Sequence, residues 1–261
     1  MHESIESWVL SDLEKIIDKG WIVNSRAGNH GSVGNLLEDL LGVPENNLPI
    51  PDLDKWELKS KRVHSNSLVT LFHLEPFPRK YKFVPNILLP LYGWKHDQAG
   101  ILYPETEMSF RQTINAVGRS DRGFKVEVDR SNEKVQISFD SSFVDSRHQV
   151  WLDSVISRVG ASELSPKPYW DFDVLTDKVM TKLNNCLFLN AQSKVENGIE
   201  YTKYLSFEFF IGFNIENFLR GLEEGFVYVD FDARTGHNHG TKFRIRKSRI
   251  FDLYAEHITL T

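Results

Sequence analysis

The fold is decided by one short stretch of the 261-residue chain, Asp52-Leu53-Asp54-Lys55-Trp56-Glu57-Leu58-Lys59. From Trp56 onward apolar and charged side chains alternate, which is the pattern of a β-strand with one buried face. Residues two apart on a strand point the same way. We therefore expect Glu57 and Lys59 to project together, with Trp56 and Leu58 on the opposite side.

The same stretch carries a candidate metal site. Asp52 precedes the strand at a turn, and we expect this turn to bring its carboxylate next to that of Glu57. Two converging carboxylates offer hard oxygen ligands suited to Mg²⁺, and the Lys59 ammonium can orient an attacking water and stabilise developing negative charge. The spacing is compatible with phosphodiester hydrolysis. Taken alone, an Asp followed by Glu-x-Lys is a weak signal, because solvated surface strands carry such triplets too.

Hydrophobic periodicity outlines the elements around this strand. A helix is predicted over residues 5–19, and a second over 35–42, where leucines mark a buried face. The apolar run 68–74 is predicted to be a strand that pairs with the strand at 56–60. Further predictions are a hairpin between residues 124 and 139, helices over about 174–183 and 215–222, and a strand over 226–230. The sequence thus predicts a mixed α/β (α+β) architecture around a largely antiparallel or mixed sheet.

Length and composition favour one globular unit. Hydrophobic residues at 41% and charged residues at 26% are close to globular averages, and a chain of this length can form a single domain, residues 1–261. No apolar stretch approaches the ~20 residues of a membrane span, and the N-terminus is acidic, so a cytoplasmic protein is expected. Cys186 has no cysteine partner and is expected to be a small buried residue.

The charge distribution is uneven. A formal net charge of −5 counts against a nucleic-acid partner, because Lys and Arg drive phosphate binding. Near the C-terminus, however, cations cluster with histidines between them: Arg234, His237, His239, Lys242, Arg244, Arg246, Lys247 and Arg249. Arginine and histidine can donate to guanine in the major groove, and lysine can engage phosphates. This segment predicts a local basic patch.

Three other sequence features could suggest different kinds of site, and the residues around them do not support those sites. The glycine-rich residues 28–34 lack the Gly-Lys-Ser/Thr ending of a phosphate loop, so ATP dependence is not indicated. His237 and His239 suggest a transition-metal site, but no third ligand of fixed spacing accompanies them. Most of the six tryptophans are expected to fill the core rather than to stack on bases.

Several of these stretches resemble one family of proteins. They are Gly34-Asn35-Leu36-Leu37-Glu38-Asp39-Leu40-Leu41-Gly42, residues 45–48, 51–59 and 67–73, and, near the C-terminus, residues 230–234 and 237–245. Together they resemble the restriction endonucleases of the MvaI and BcnI family, relatives of the mismatch-repair nicking enzyme MutH in the PD-(D/E)xK nuclease superfamily. The resemblance is looser over about residues 81–183.

The resemblance implies a PD-(D/E)xK core, with a central mixed sheet flanked by helices and a MutH-like two-lobed cleft. It places a catalytic lobe in about residues 1–120 plus parts of the C-terminal half, and a DNA-recognition lobe that includes about residues 185–261. Asp52 and Glu57 would hold the metal, Lys59 would assist the nucleophile, and Glu38 would support catalysis. Without the resemblance, Glu38 would be an exposed helix carboxylate.

The resemblance also implies DNA contacts for one set of residues: His73, Asp230, Asp232, Arg234, His237, His239, Lys242 and Arg244. By itself, His73 is as well explained as a hydrogen-bonded core residue on an apolar strand.

The function implied is that of a type II restriction endonuclease. Such an enzyme would use Mg²⁺ to cut double-stranded DNA at a short GC-rich site of the CC-x-GG kind. It would act as a monomer and have a cognate DNA methyltransferase as its genetic partner. One alternative is a MutH-like nickase that other proteins recruit, and another is a DNA-binding module without turnover. The intact set of Asp52, Glu57 and Lys59 does not favour the last.

Overall fold

The computed structural model describes residues 5–28, 31–43, 55–62, 67–160 and 163–261. The helices are α1 (Ser7–Asp18), α2 (Ser32–Leu41), α3 (Leu89–Tyr92), α4 (Gln149–Val159), α5 (Phe172–Leu183) and α6 (Ile215–Glu223). The strands are β1 (Trp21–Val23), β2 (Glu57–Arg62), β3 (Val69–His73), β4 (Trp94–Lys95), β5 (Met108–Ile114), β6 (Arg122–Asp129), β7 (Lys134–Val144), β8 (Tyr169–Asp171), β9 (Asn185–Glu196), β10 (Ile199–Phe213), β11 (Val227–Arg234), β12 (His237–Asn238), β13 (Lys242–Ile245) and β14 (Tyr254–Leu260).

The chain divides into two compact units, each made of segments distant in sequence. The first unit contains residues 1–67, 177–214 and 250–261, and the second contains residues 68–176 and 215–249. The lobes predicted from the resemblance stay a prediction.

A mixed five-stranded sheet forms the first unit. Its order is β1-β10-β9-β2, and β14 also pairs with β10. Strands β9 and β10 form a long antiparallel hairpin, whereas β2 runs parallel to β9 with Glu57 opposite Cys186. Parallel neighbours need a long crossover connection. In this chain the crossover contains residues 68–176, which make up most of the second unit.

Helices α1 and α2 cover one face of this sheet. Val9, Leu13 and Ile16 repeat at helical spacing on α1, and all three are buried. They share one core with α2 and with sheet residues that include Trp56 and Leu58. The predicted helices at 5–19 and 35–42 are therefore confirmed, although α2 begins earlier. Gly42 ends α2 in the left-handed conformation at φ 69°, as a C-terminal glycine does.

The second unit contains two sheets. One has the order β3-β13-β11-β5-β4, with β12 also paired to β11, and the other has the order β6-β7-β8. Aromatic side chains from both sheets make its core, for example Phe110 on β5 at 5.4 Å from Phe124 on β6. Strands β6 and β7 are the predicted hairpin, and their pairing is antiparallel from Phe124↔Phe139 to Asp129↔Lys134.

One predicted pairing is wrong. Strands β2 and β3 both exist, but β2 pairs with β9 and β3 pairs with β13. Alternation identifies a strand from neighbouring residues, whereas the choice of partner depends on residues far away in the sequence. His73, for example, lies opposite Lys242.

The remaining elements agree with the sequence. Helices α5 and α6 contain the predicted segments, and β11 begins one residue after the start of the predicted strand. Cys186 is buried in β9. The architecture is mixed α/β, with sheets flanked by helices, as predicted. No helix in the described ranges has both the length and the apolar character needed to cross a membrane.

Candidate functional site

Strand β2 presents Glu57 and Lys59 on one face, as the alternation predicts. Trp56, just before the strand, is fully buried and meets the Phe209 ring edge-on at 5.1 Å, and Leu58 joins the same core. Removing a buried aromatic of this size costs about 3–5 kcal/mol. Trp56 therefore fixes the strand, and Glu57 and Lys59 face the other way.

Glu57 is a buried carboxylate held by two lysines. Its residue exposure is only 2%. The Lys59 ammonium donates to Oε1 of Glu57 at 2.5 Å, and the Lys182 ammonium lies 3.3 Å from the same oxygen. A buried charge is costly unless it is paired, and here one carboxylate is paired with two cations.

Lys182 was missed in the sequence. It lies in the last turn of α5, where a lysine is unremarkable because it complements the helix dipole. Only the fold brings it to Glu57. The one local hint is that α5 leads directly into β9, the strand that lies beside β2.

The structure gives a position for only one of the two other predicted catalytic residues. Glu38 is a partly exposed residue of α2, a helix that packs against β2. Asp52 lies outside the described residues. Within the described part of the chain, no three His, Cys, Asp or Glu side chains are close enough together to hold a metal ion.

Tyr254 belongs to the electrostatic surroundings of Glu57. Burial raises the pKa of the Tyr254 hydroxyl well above its ordinary value, and the neighbouring Cys186 and Glu57 raise it further. The phenol therefore stays neutral over the whole physiological range, and it adds no negative charge next to Glu57.

A second group of polar residues shares one face of the larger sheet in the second unit. Register pairs align Asp230 with Lys242 and Thr113, and Asp232 with Arg111. The alternate residues of these strands, such as Phe231, Phe243 and Phe110, are buried on the other face. Neighbouring strands thus bring acidic and basic side chains next to each other. The groove along these strands has a volume of about 400 Å³, and its lining residues are Arg111, Gln112, Thr113, Asp230, Phe231, Asp232, Lys242 and Arg244.

Asp230 is held by two donors, one on each oxygen. The Thr113 hydroxyl donates to Oδ1 at 2.6 Å, and Arg244 donates to Oδ2 at 3.2 Å. The other terminal nitrogen of Arg244 donates to the backbone carbonyl of Leu68 at 2.8 Å. Both the carboxylate and the guanidinium are consequently fixed in orientation.

Asp232 is held by Arg111 at 2.9 Å and by Lys242 at 3.3 Å. Burial by itself would raise the pKa of this carboxyl. The positive charges of Lys242 and Arg111, with His239, outweigh burial and hold the pKa of Asp232 below its ordinary value. Asp232 is therefore an anion at neutral pH.

The predicted basic patch is not a surface of unpaired positive charge. Four of its cations are paired with carboxylates. Three of these pairs are Arg234 with Glu107 at 3.0 Å, Lys242 with Asp232, and Arg244 with Asp230. Arg249 packs over the Phe226 ring and pairs with Glu224 at 3.6 Å. Clustering in sequence could not show this, because the acidic partners lie on strand β11 and in loops, and the strand pairing brings them to the cations. Neighbouring carboxylates therefore balance four of the positive charges in this segment.

The predicted histidines are all exposed. His73 ends β3 opposite Lys242, while His237 and His239 lie at the turn between β11 and β13. An exposed His73 does not fit the core-residue alternative. Arg111 and Thr113 were missed, although their spacing along β5, between buried Phe110 and Ile114, could have placed them on one polar face.

Comparisons with known proteins agree with this architecture. A family model described as the MvaI/BcnI restriction endonuclease family matches residues 10–254. A solved structure of restriction endonuclease MvaI in complex with its cognate DNA substrate is 25% identical, covers 99% of this chain and 100% of that chain, and gives a TM-score of 0.77. MvaI in the absence of DNA has the same identity and coverage, with a TM-score of 0.54.

No curated protein matches the chain. The family model spans nearly the whole sequence, and the fold is that of a restriction endonuclease, as the sequence predicted. The chain belongs to the MvaI/BcnI restriction endonuclease family.

Proposed function

We propose that this restriction endonuclease uses Mg²⁺ to hydrolyse phosphodiester bonds of double-stranded DNA, at a site built around Asp52, Glu57 and Lys59. The observation that carries the proposal is the 2.5 Å contact between Lys59 and the buried Glu57 on one face of β2. A buried carboxylate beside an ammonium is costly to maintain. It is suited to the chemistry of a metal-assisted nuclease.

The donor chemistry of Glu57 fits Mg²⁺, which prefers hard, anionic oxygens. In the described structure, two ammonium groups balance the charge of that carboxylate. Asp52 would supply the second carboxylate. When bound, Mg²⁺ would polarise the scissile phosphate and lower the pKa of the attacking water.

The residues of the chain have separate tasks in this proposal. Glu57 and Asp52 bind the ion, and Lys59 orients the water and stabilises negative charge that develops on the phosphate. Lys182 holds Glu57 in place from α5. Glu38, on the helix packed against β2, supports the site. We assign this chemistry to the first unit.

We assign base recognition to the second unit. Asp230 and Asp232 can accept hydrogen bonds from cytosine amino groups, while Lys242 and Arg244 can donate to guanine. A groove that carries both signs suits G·C pairs better than a purely basic surface would. His73, Arg234, His237 and His239 would complete the DNA contacts. MvaI has been solved with its cognate DNA, and duplex DNA is the substrate we propose here.

The finer assignments follow the family resemblance. They are a short GC-rich site of the CC-x-GG kind, action as a monomer, and a cognate DNA methyltransferase as genetic partner. Each is a proposal that digestion experiments and mass measurements in solution can test.

The proposal is tested by digesting a sequenced, unmodified plasmid with purified protein, with and without Mg²⁺, and reading the ends by run-off sequencing. We expect linear DNA with a single sequence at every end, and only when Mg²⁺ is present. Nicked circles that persist until another protein is added would favour the MutH-like alternative. Intact plasmid under all conditions would contradict the proposal.

A further inference from the structure

A short basic segment lies outside every role assigned above. Residues 79–82, here called the basic turn, read Arg79-Lys80-Tyr81-Lys82 and contain three cations. The first three residues form a 3-10 helix, Arg79–Tyr81, and Lys82 follows in the left-handed conformation. All four residues are exposed.

The cations of the basic turn differ from those of the groove. Arg111, Lys242 and Arg244 are each paired with a carboxylate. In the ranges that the structure describes, no carboxylate pairs with a cation of the basic turn. Instead, Arg79 packs over the Phe77 ring at 4.8 Å and Lys80 over the Tyr81 ring at 5.2 Å. Ring contacts support the side chains but leave their positive charge available to an external anion.

Hydrogen bonds to Glu75 connect the segment just before the basic turn with the turn that carries His237 and His239. Glu75, a few residues earlier, accepts hydrogen bonds from the backbone nitrogen of Thr241 at 2.9 Å and from its hydroxyl at 3.2 Å. Glu75 also accepts from the Asn238 side chain at 3.3 Å. A cavity of about 320 Å³ separates the two turns, and Arg79, Lys82 and Asn238 are among its lining residues. Unneutralised charge therefore lies beside the proposed base-reading surface.

We propose that the basic turn binds the phosphate backbone of the duplex whose bases the neighbouring strands read. This inference rests on the proposed function. Contacts to phosphates fix the position of a protein on DNA but carry no sequence information. The ion pairs give the two groups of cations different roles. Carboxylates orient the groove cations for directed hydrogen bonds to bases, whereas the basic turn supplies positive charge that attracts phosphates.

The test measures binding to two duplexes of equal length, without divalent ions so that no cutting occurs. One holds the sequence found at the plasmid ends, and the other holds a scrambled sequence. Fluorescence anisotropy gives the Kd of each over a range of KCl concentrations. The variant carries Arg79→Gln, Lys80→Gln and Lys82→Gln.

The control variant loses the same net charge elsewhere in the second unit. It carries Lys95→Gln, Arg147→Gln and Arg220→Gln, three exposed cations that are paired with Glu105, Asp121 and Glu224. This control separates a local phosphate contact from a change in total charge. Circular dichroism and the melting temperature verify that both variants fold.

Each phosphate contact contributes about 0.9 to the slope of log K against log salt concentration. We expect the basic-turn variant to lose up to about 3 from that slope and to bind both duplexes more weakly by a similar factor, so that the preference between them is kept. The control should keep the slope of the natural protein. An unchanged slope in the basic-turn variant, or an equal loss in the control, would overturn the inference.

Three further outcomes need separate interpretation. If the triple variant does not fold, Lys80→Gln alone carries the test, and its slope should fall by about 0.9. If the natural protein cuts plasmid at one sequence while the variant keeps its salt slope, only this inference fails. If the natural protein neither cuts nor prefers any duplex, the proposed function itself fails.

Discussion

The ammonium group of Lys182 lies 3.3 Å from Oε1 of Glu57, the oxygen that Lys59 also contacts. Lys59 is two residues from Glu57 on the same strand, whereas Lys182 arrives on α5 from a distant part of the sequence. The charge around the buried carboxylate is therefore set partly by tertiary structure, and a change on α5 should alter chemistry on β2.

Lys182→Met should slow cleavage by about 10- to 100-fold, the usual effect of removing a partner that orients a metal ligand. Lys182→Arg keeps the positive charge beside Glu57 and should restore most of the rate. Single-turnover rates in Mg²⁺ measure both variants. A normal rate for Lys182→Met would remove Lys182 from the site.

Arg244→Ala should weaken specific binding, because loss of a good base contact costs about 1–3 kcal/mol. Competition between cognate and scrambled duplexes measures the preference directly. Arg220→Ala on α6 is the control, since this exposed arginine pairs with Glu224 and donates to Asn217, both near it in sequence. If Arg244→Ala keeps the preference of the natural protein, Arg244 does not read a base.

Thr113→Val should reduce discrimination at one base pair, because Asp230 loses the 2.6 Å hydrogen bond that orients its carboxylate. Thr113→Ser keeps the hydroxyl and should restore the preference. Cleavage of a set of duplexes, each with one substituted base pair, locates the affected position. Equal behaviour of the Val and Ser variants would show that the hydroxyl has no role in specificity.

Tyr204 gives a pH-dependent prediction for the first unit. Its hydroxyl donates to the Val33 carbonyl of α2 at 2.7 Å, and burial raises the pKa of Tyr204 above the ordinary value of 10.0. A raised pKa means that the stabilisation is complete below about pH 10 and is lost as the pH rises further. Tyr204→Phe should cost about 1 kcal/mol at neutral pH. Its free energy of unfolding should then fall less steeply above pH 10 than that of the natural protein.

Urea unfolding at pH 7.5, 9.5 and 10.5 provides that comparison. Parallel decline of the two proteins at alkaline pH would contradict the role given to Tyr204.

Local patterns in the sequence predicted the elements well. The orientation of β2 follows from alternation over a few residues, and both α1 and α2 follow from the helical spacing of apolar residues that the core then buries. The end of α2 at Gly42 likewise depends on neighbouring residues alone. These features depend on near neighbours, so a single sequence is sufficient.

The pairing of strands and of charged side chains was harder to predict from the sequence. The sequence gives no register for β13 against β3 and β11, yet that register pairs Lys242 with Asp232 and Arg244 with Asp230. The cluster of cations near the C-terminus was visible, but its neutralisation was not. Lys182 was missed for the same reason, because its distance to Glu57 is a property of the sheet and helix together.

In the proposed mechanism, cleavage depends most on Lys59 and Glu57 acting together at a metal-assisted site. The most direct measurement is the rate of plasmid linearisation in Mg²⁺ by the natural protein and by Lys59→Ala, Glu57→Gln and Asp52→Ala, with duplex binding measured in parallel. We predict that each variant keeps measurable binding and loses cleavage. Undiminished cleavage by Lys59→Ala or Asp52→Ala would contradict the account.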